Sequence, residues 1–172
     1  MGQIANKLNS IPYKKVVWLL AFAETLHNIE EAILLPEWSH SAGFLQTNVD
    51  AFEFRFSVAF LTVLFYGIIY YFTKSKSNIA GYIMSGALMI TLLNVIMPHL
   101  LAVIVSGRYA PGIATGLLLN IPVTLYLLKR GLKENFYNTK MIIYGTAAFA
   151  GIVFPLLSLL FYAGNIVETV LY

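Results

Sequence analysis

Three carboxylates and one imidazole stand close together inside an apolar run, in Glu24-Thr-Leu-His27-Asn-Ile-Glu30-Glu31. An ionisable residue at the centre of a membrane helix costs about 2.5–3.5 kcal/mol, so three left ionised and alone would cost roughly 8–10 kcal/mol. They must be neutralised, paired or bound to a metal. Imidazole with carboxylates suits Zn first, with Fe or Mn as alternatives, and residues spaced i, i+4 such as His27 and Glu31 reach one ion from adjacent helical turns. A ligand from elsewhere in the chain is then needed, and His99 is the candidate.

Three chemistries fit these residues. A divalent ion on His27, Glu31 and His99 would offset carboxylate charge and activate a water, with Glu30 and His99 as the catalytic groups of a hydrolase acting on a lipid or other apolar substrate. The order His27-x-x-Glu30-Glu31 parallels the inverted zinc-protease motif H-x-x-E-H, with Glu30 in the place of the base. Glu24-x-x-His27 is half of a di-iron bundle motif, but a second copy is lacking. Without metal, Glu30 or Glu31 could exchange a proton with His27 or His99 in a lipid isomerase or small carrier. The third reading is structural: glutamates and amides holding helices together by hydrogen bonds.

The helix that carries the cluster decides which groups can cooperate. At about 100° per residue from His27, Glu31 falls near +40°, Glu24 near +60°, Asn28 near +100° and Glu30 near −60°. Glu24, His27 and Glu31 form one stripe, flanked by Glu30 and Asn28. This arc must face protein.

Composition places the helix in a membrane: 59% of the 172 residues are apolar and 11% are charged. Five apolar segments cross or nearly cross, at Val16–Leu35, Phe56–Phe72, Ile79–Val105, Ile113–Leu128 and Met141–Phe161. The expected architecture is all-α, a polytopic bundle of five transmembrane helices over residues 16–172. Residues 1–15 precede it, with Ile4, Leu8 and Ile11 among lysines as a short interfacial segment. Lys7, Lys14, Lys15, Lys74, Lys76, Lys129, Arg130, Lys133 and Lys140 fall on one side and only Arg55 and Arg108 on the other. By the positive-inside rule the N-terminus is in and the C-terminus out, in a multi-pass protein of the cell membrane. The pI near 9.1 follows from these topogenic charges and anionic-lipid contact, with no call for nucleic acid.

The absence of cysteine excludes disulfides, thiolate catalysis and Cys-ligated metals. The first apolar segment lacks a small-residue cleavage site and reads as a retained helix. The opening Met-Gly-Gln-Ile-Ala-Asn lacks the Ser or Thr of a myristoylation signal.

Depth along the helices gathers the remaining polar residues. His27 lies about 18 Å above Lys15 and Glu31 about 24 Å; Asn94 lies about 22 Å and His99 about 30 Å above Ile79. Asn94 and His99 are about 140° apart on an ideal helix, and a kink or π-turn at Pro98 would bring them together. Arg55, Arg108, Tyr109 and Glu168 arrive at the same outer half, Arg55 either pairing there or snorkelling to headgroups. Asn120 lies about 12 Å below the outer end of helix four and needs a partner on a neighbouring helix. Glu24, Asn28 and Asn94 are the candidates to hydrogen-bond the ligands from behind.

The motif His27-Asn28-Ile29-Glu30-Glu31 resembles the membrane-protein family named for H-x-x-E-E, and Tyr109-Ala110-Pro111-Gly112 is similar to its Y-x-P-G block. The family's N-x-x-x-H block has its counterpart in Asn94 and His99, here one residue further apart. The resemblance covers roughly residues 16–130. It implies a membrane protein and nominates His27, Glu30, Glu31, Asn94, His99, Tyr109, Pro111 and Gly112 as shared positions, and it implies no activity.

Overall fold

The computed structural model describes residues 8–46 and 48–171, so Ile4 and Lys7 of the expected interfacial segment lie outside the described residues. Among the described residues the protein is helical throughout, without strands. A single turn at Tyr13–Val16 leads into α1, Trp18–Ser39. Then follow α2 (Ala51–Lys74), α3 (Asn78–Ser106), α4 (residues 113–133) and α5 (Thr139–Leu171).

Local chemistry accounts for the ends. Asp50 caps α2, its carboxylate accepting from the N–H groups of Phe52 (2.7 Å) and Glu53 (3.2 Å). Ser77 caps the start of α3 by accepting from the Ile79 N–H at 3.1 Å. Pro36, directly after the apolar segment Val16–Leu35, lies inside α1 and does not close it. The helix runs one turn further, since a proline near a C-terminus removes only one intrahelical bond. The connection from α1 to α2 is correspondingly short, with a 3₁₀ turn at Gly43–Leu45. The tail after Phe161 continues α5 as far as Leu171.

Among the described residues three helices, α2, α3 and α5, are long and apolar enough to cross a membrane. The sequence reading counts five spans, and α1 and α4 differ for identifiable reasons. Every eighteen-residue stretch of α1 contains at least Glu24, Glu30 and Glu31, while α4 is interrupted by a π-turn at Gly116–Asn120 and ends in Lys129, Arg130 and Lys133. The charges that depress apolarity in α1 are those of the candidate site.

Helix α5 packs along α3 and α2, and α1 is held among α2, α3 and α4. The α3–α5 contact depends on glycine. A Cβ on Gly86 would lie 2.4 Å from the Gly145 carbonyl oxygen, and one on Gly145 would lie 2.3 Å from that of Tyr82. The backbones therefore meet directly, as small residues allow in membrane helix pairs.

The lysine-rich end is closed by a polar clasp. The Tyr13 and Tyr137 hydroxyls are 2.8 Å apart, and both reach the Leu127 carbonyl, at 3.1 and 2.7 Å. Arg130 donates to the Leu8 carbonyl at 2.9 Å and the Ile11 carbonyl at 2.6 Å and pairs with Glu134. Lys14 donates to the Ser75 carbonyl at 2.8 Å. Residues 8–15 are thus docked on the bundle through their carbonyls and Tyr13. Above the clasp lies an apolar core that includes Leu20, Ile69, Met84, Leu88 and Leu127.

Gly145→Val must force α3 and α5 apart, whereas Gly151, with open space around its Cα, tolerates the same change. The expected loss for Gly145→Val is toward the upper end of the about 1–3 kcal/mol typical of overpacking. Thermal unfolding in detergent checks it; equal melting of the two variants would disprove the close contact.

Candidate metal centre

The stripe on α1 faces the protein. His27 is fully buried and Glu31 nearly so, while Ile33 on the opposite face is 64% exposed. His27 and Glu31 stand one turn apart, with His27 Nε2 3.8 Å from Glu31 Oε1.

His99 reaches them through a break in α3. Residues Val95–Leu100 form a π-turn, and Met97 leaves helical geometry altogether (φ −130°, ψ 110°). The wider turn offsets the extra residue between Asn94 and His99 and brings both side chains to one point. Asn94 Nδ2 lies 3.1 Å from His27 Nε2 and 3.4 Å from His99 Nε2. His99 Nε2 is 3.0 Å from Glu31 Oε1. The imidazoles meet edge to face, with centroids 5.0 Å apart and planes at 83°.

Helix α4 supplies the third wall, and its first residues bind Glu30. Glu30 Oε1 accepts from the Tyr109 hydroxyl, from Gly112 N at 2.8 Å and from Ala114 N at 3.3 Å; Oε2 accepts from Thr115 N at 2.8 Å and Thr115 Oγ1 at 2.5 Å. The carboxylate thereby satisfies N–H groups that would otherwise be orphaned at a helix start, where negative charge is favoured. Burial, with the Glu30 carboxylate beside it, pushes the Tyr109 phenol up to about 12, so it stays a donor at neutral pH. Gly112 closes the site at φ +87°. A Cβ there would lie 2.6 Å from His99 Cε1 and 2.8 Å from His27 Cε1.

Proton bookkeeping orients His27. The Thr115 hydroxyl spends its hydrogen on Glu30, so across the 3.1 Å contact it accepts from His27 Nδ1–H. The Nε2 lone pair is left pointing toward Glu31, Asn94 and His99. A carboxylate that fixes an imidazole tautomer, here through one hydroxyl, is the arrangement that supports metal-bound histidines.

The ligand atoms of His27, Glu31 and His99 all lie within 4.8 Å of one another, and the group could hold a metal ion. Bonds of about 2.0–2.2 Å place tetrahedral ligand atoms roughly 3.3–3.6 Å apart. The contacts of 3.8 and 3.0 Å to Glu31 straddle that separation. As a hydrogen-bonded pair, His99 Nε2–H donates to Glu31; a cation at the same point would replace that proton.

The other residues singled out from the sequence divide into two sets. Asn94 and Tyr109 join the group as described, and Glu24 lies beside it, with Asn120 Nδ2 at 3.4 Å from its Oε1. Asn28 instead donates to Thr62 on α2 at 2.7 Å. Arg55 Nε donates to the Ala32 carbonyl at 3.0 Å and lines a hollow with Asp50 and Glu168, while Arg108 lines another with Trp38 and Tyr109. Thr115 escaped the sequence reading as a site residue. Its position three residues after Gly112, one turn into α4, was the available signal.

Gly112→Ala is expected to destabilise the protein far more than Gly107→Ala. Both have positive φ, but only Gly112 faces two rings, and Gly107 has nothing within 4 Å of its added carbon. Comparison of their melting temperatures separates backbone strain from the clash; similar losses would count against the packing described.

Comparison with known proteins agrees with the motifs. The chain is 42% identical over 153 residues to the uncharacterized protein YrkK of Bacillus subtilis (strain 168), covering 87% of this chain and 95% of that protein. No solved structure matches it. Residues 18–127 match the family described as proteins of unknown function with an HXXEE motif, a span that includes α1, the His99 turn and the Glu30 cradle. With His27, Glu30 and Glu31 supplying that motif, the chain belongs to the HXXEE family.

Proposed function

We propose that this protein is a five-span integral membrane protein, N-terminus in and C-terminus out, whose His27–Glu31–His99 group holds one divalent ion. Zinc is the first choice, with iron or manganese as alternatives, and the ion serves hydrolysis of a lipid or other apolar substrate. The observation that carries the reading is the convergence of three ligand atoms within 4.8 Å. The fixed His27 tautomer adds to it.

An ion bound there would lower the pKa of a water and polarise an ester carbonyl. In such a hydrolysis the water oxygen would bond to the acyl carbon, Glu31 would take a water proton and hand it to the leaving alcohol, and the carbon–oxygen bond to that alcohol would break. Glu30 suits orientation better than base catalysis, because both its oxygens are already taken by donors. Support for the topology comes from the clasp, which gathers Lys14 and Arg130 at one end, while Trp38 Nε1 bonds the Tyr109 carbonyl at the other at 3.0 Å.

The 3.0 Å His99–Glu31 contact also favours a second reading, a metal-free proton-transfer pair. Metal titration separates the two. The metal reading expects one zinc or cobalt ion per chain, binding lost in His99→Ala, and affinity reduced about 10–100-fold in Thr115→Val but restored in Thr115→Ser. Absence of stoichiometric binding in the folded wild type would leave the proton pair.

Topology is checked by single cysteines in the naturally cysteine-free chain. Ser41→Cys is expected to react with an impermeant thiol reagent from outside intact cells and Ser75→Cys only after permeabilisation. Labelling in the reverse sense would invert the orientation.

A further inference from the structure

Beside the His27–Glu31–His99 group, α1, α3 and α4 bring together a second polar group of different chemistry. Glu24 contributes a carboxylate, Thr91 a hydroxyl next to it, and Asn120 an amide whose Nδ2 is 3.4 Å from Glu24 Oε1. Thr124 follows Asn120 by one turn on the same face of α4. Asn120 and Thr124 are both fully buried. Asn120 Oδ1 and Thr124 Oγ1 have no hydrogen-bond partner among the described residues.

Two unpartnered buried oxygens one helical turn apart are unusual, because nearly all buried polar atoms in folded proteins are paired. Both donate electron pairs, and both belong to the helix face that meets a carboxylate. The charged groups that act on Glu24 are Glu31 and His99. The group therefore has an excess of oxygen lone pairs. One carboxylate with neutral oxygens balances a single positive charge, whereas calcium sites gather several carboxylates and six to eight oxygens. Asn120 also ends the Gly116–Asn120 π-turn, where backbone carbonyls depart from the regular ladder. Such interrupted helices supply carbonyls to sodium in membrane proteins.

We propose that Glu24, Thr91, Asn120 and Thr124 form a sodium site next to the His/Glu/His group. It is an all-oxygen, singly charged site, and it does not rest on the divalent-metal reading. Sodium there would neutralise Glu24 and occupy the two unpartnered acceptors, joining α1, α3 and α4 at mid-bundle.

The test is thermal unfolding of the purified full-length protein in sodium, potassium or choline chloride at matched ionic strength, with chelator present throughout to remove divalent ions. Sodium is expected to raise the melting temperature saturably by about 3–5 °C once it exceeds its Kd about tenfold. The rise should disappear in Glu24→Gln and shrink in Thr124→Val. Equilibrium binding of sodium-22 to the wild type, expected at one ion per chain, decides the matter should the variants fail to fold. Equal melting in the three salts without bound sodium-22 overturns the proposal, and so does a sodium response that survives in Glu24→Gln.

Discussion

The capture of the Glu30 carboxylate by the first turn of α4 organises the half of the molecule that holds the His/Glu/His group. Both oxygens are used, on Gly112 N, Thr115 N, the Thr115 hydroxyl and Tyr109. One interaction thereby anchors α1 to α4, satisfies N–H groups that a helix start leaves free, and compensates a negative charge without a lysine or arginine. Because Thr115 gives its hydrogen to Glu30, it must accept from His27. The carboxylate thus determines which nitrogen of His27 keeps its lone pair.

Two π-turns adapt regular helices to this arrangement. Val95–Leu100 rotates His99 onto the face of Asn94, and Gly116–Asn120 follows directly on Thr115 and ends at Asn120. Each widens a helix where a side chain must reach the common centre, in keeping with the association of such turns with functional sites. The lysine-rich half has a different character. Among the described residues its apolar core and tyrosine clasp contain no comparable break, and Gly86 and Gly145 let α3 and α5 meet backbone to backbone.

The polar residues of α1 sort by what each helix face meets. Asn28 turns to Thr62 on α2, Glu24 to Asn120 on α4, and Glu31 to His99 on α3. Arg55 spends its Nε–H on the Ala32 carbonyl. Similar depth in the bilayer was therefore too weak a criterion to place Arg55, Arg108 and Glu168 in the site. Depth is one coordinate, and the rotation of each helix about its axis is another.

Apolar content, the period of the Glu24–His27–Glu31 stripe and the spacing of the HXXEE motif were legible in the sequence because they depend on the covalent order and on helix geometry alone. The same local logic identified the need for a turn at Pro98. The continuation of α1 through Pro36 was not legible, since a proline breaks one bond and packing decides whether the helix resumes. Nor was Thr115, whose hydroxyl acquires a role only when α4 docks its first turn on Glu30. Sequence by itself determined which groups are too costly to leave alone in an apolar bundle. Tertiary structure alone decided their partners, because hydrogen bonds and ligand geometry act over about 3 Å and depend on helix rotation, which no single helix specifies.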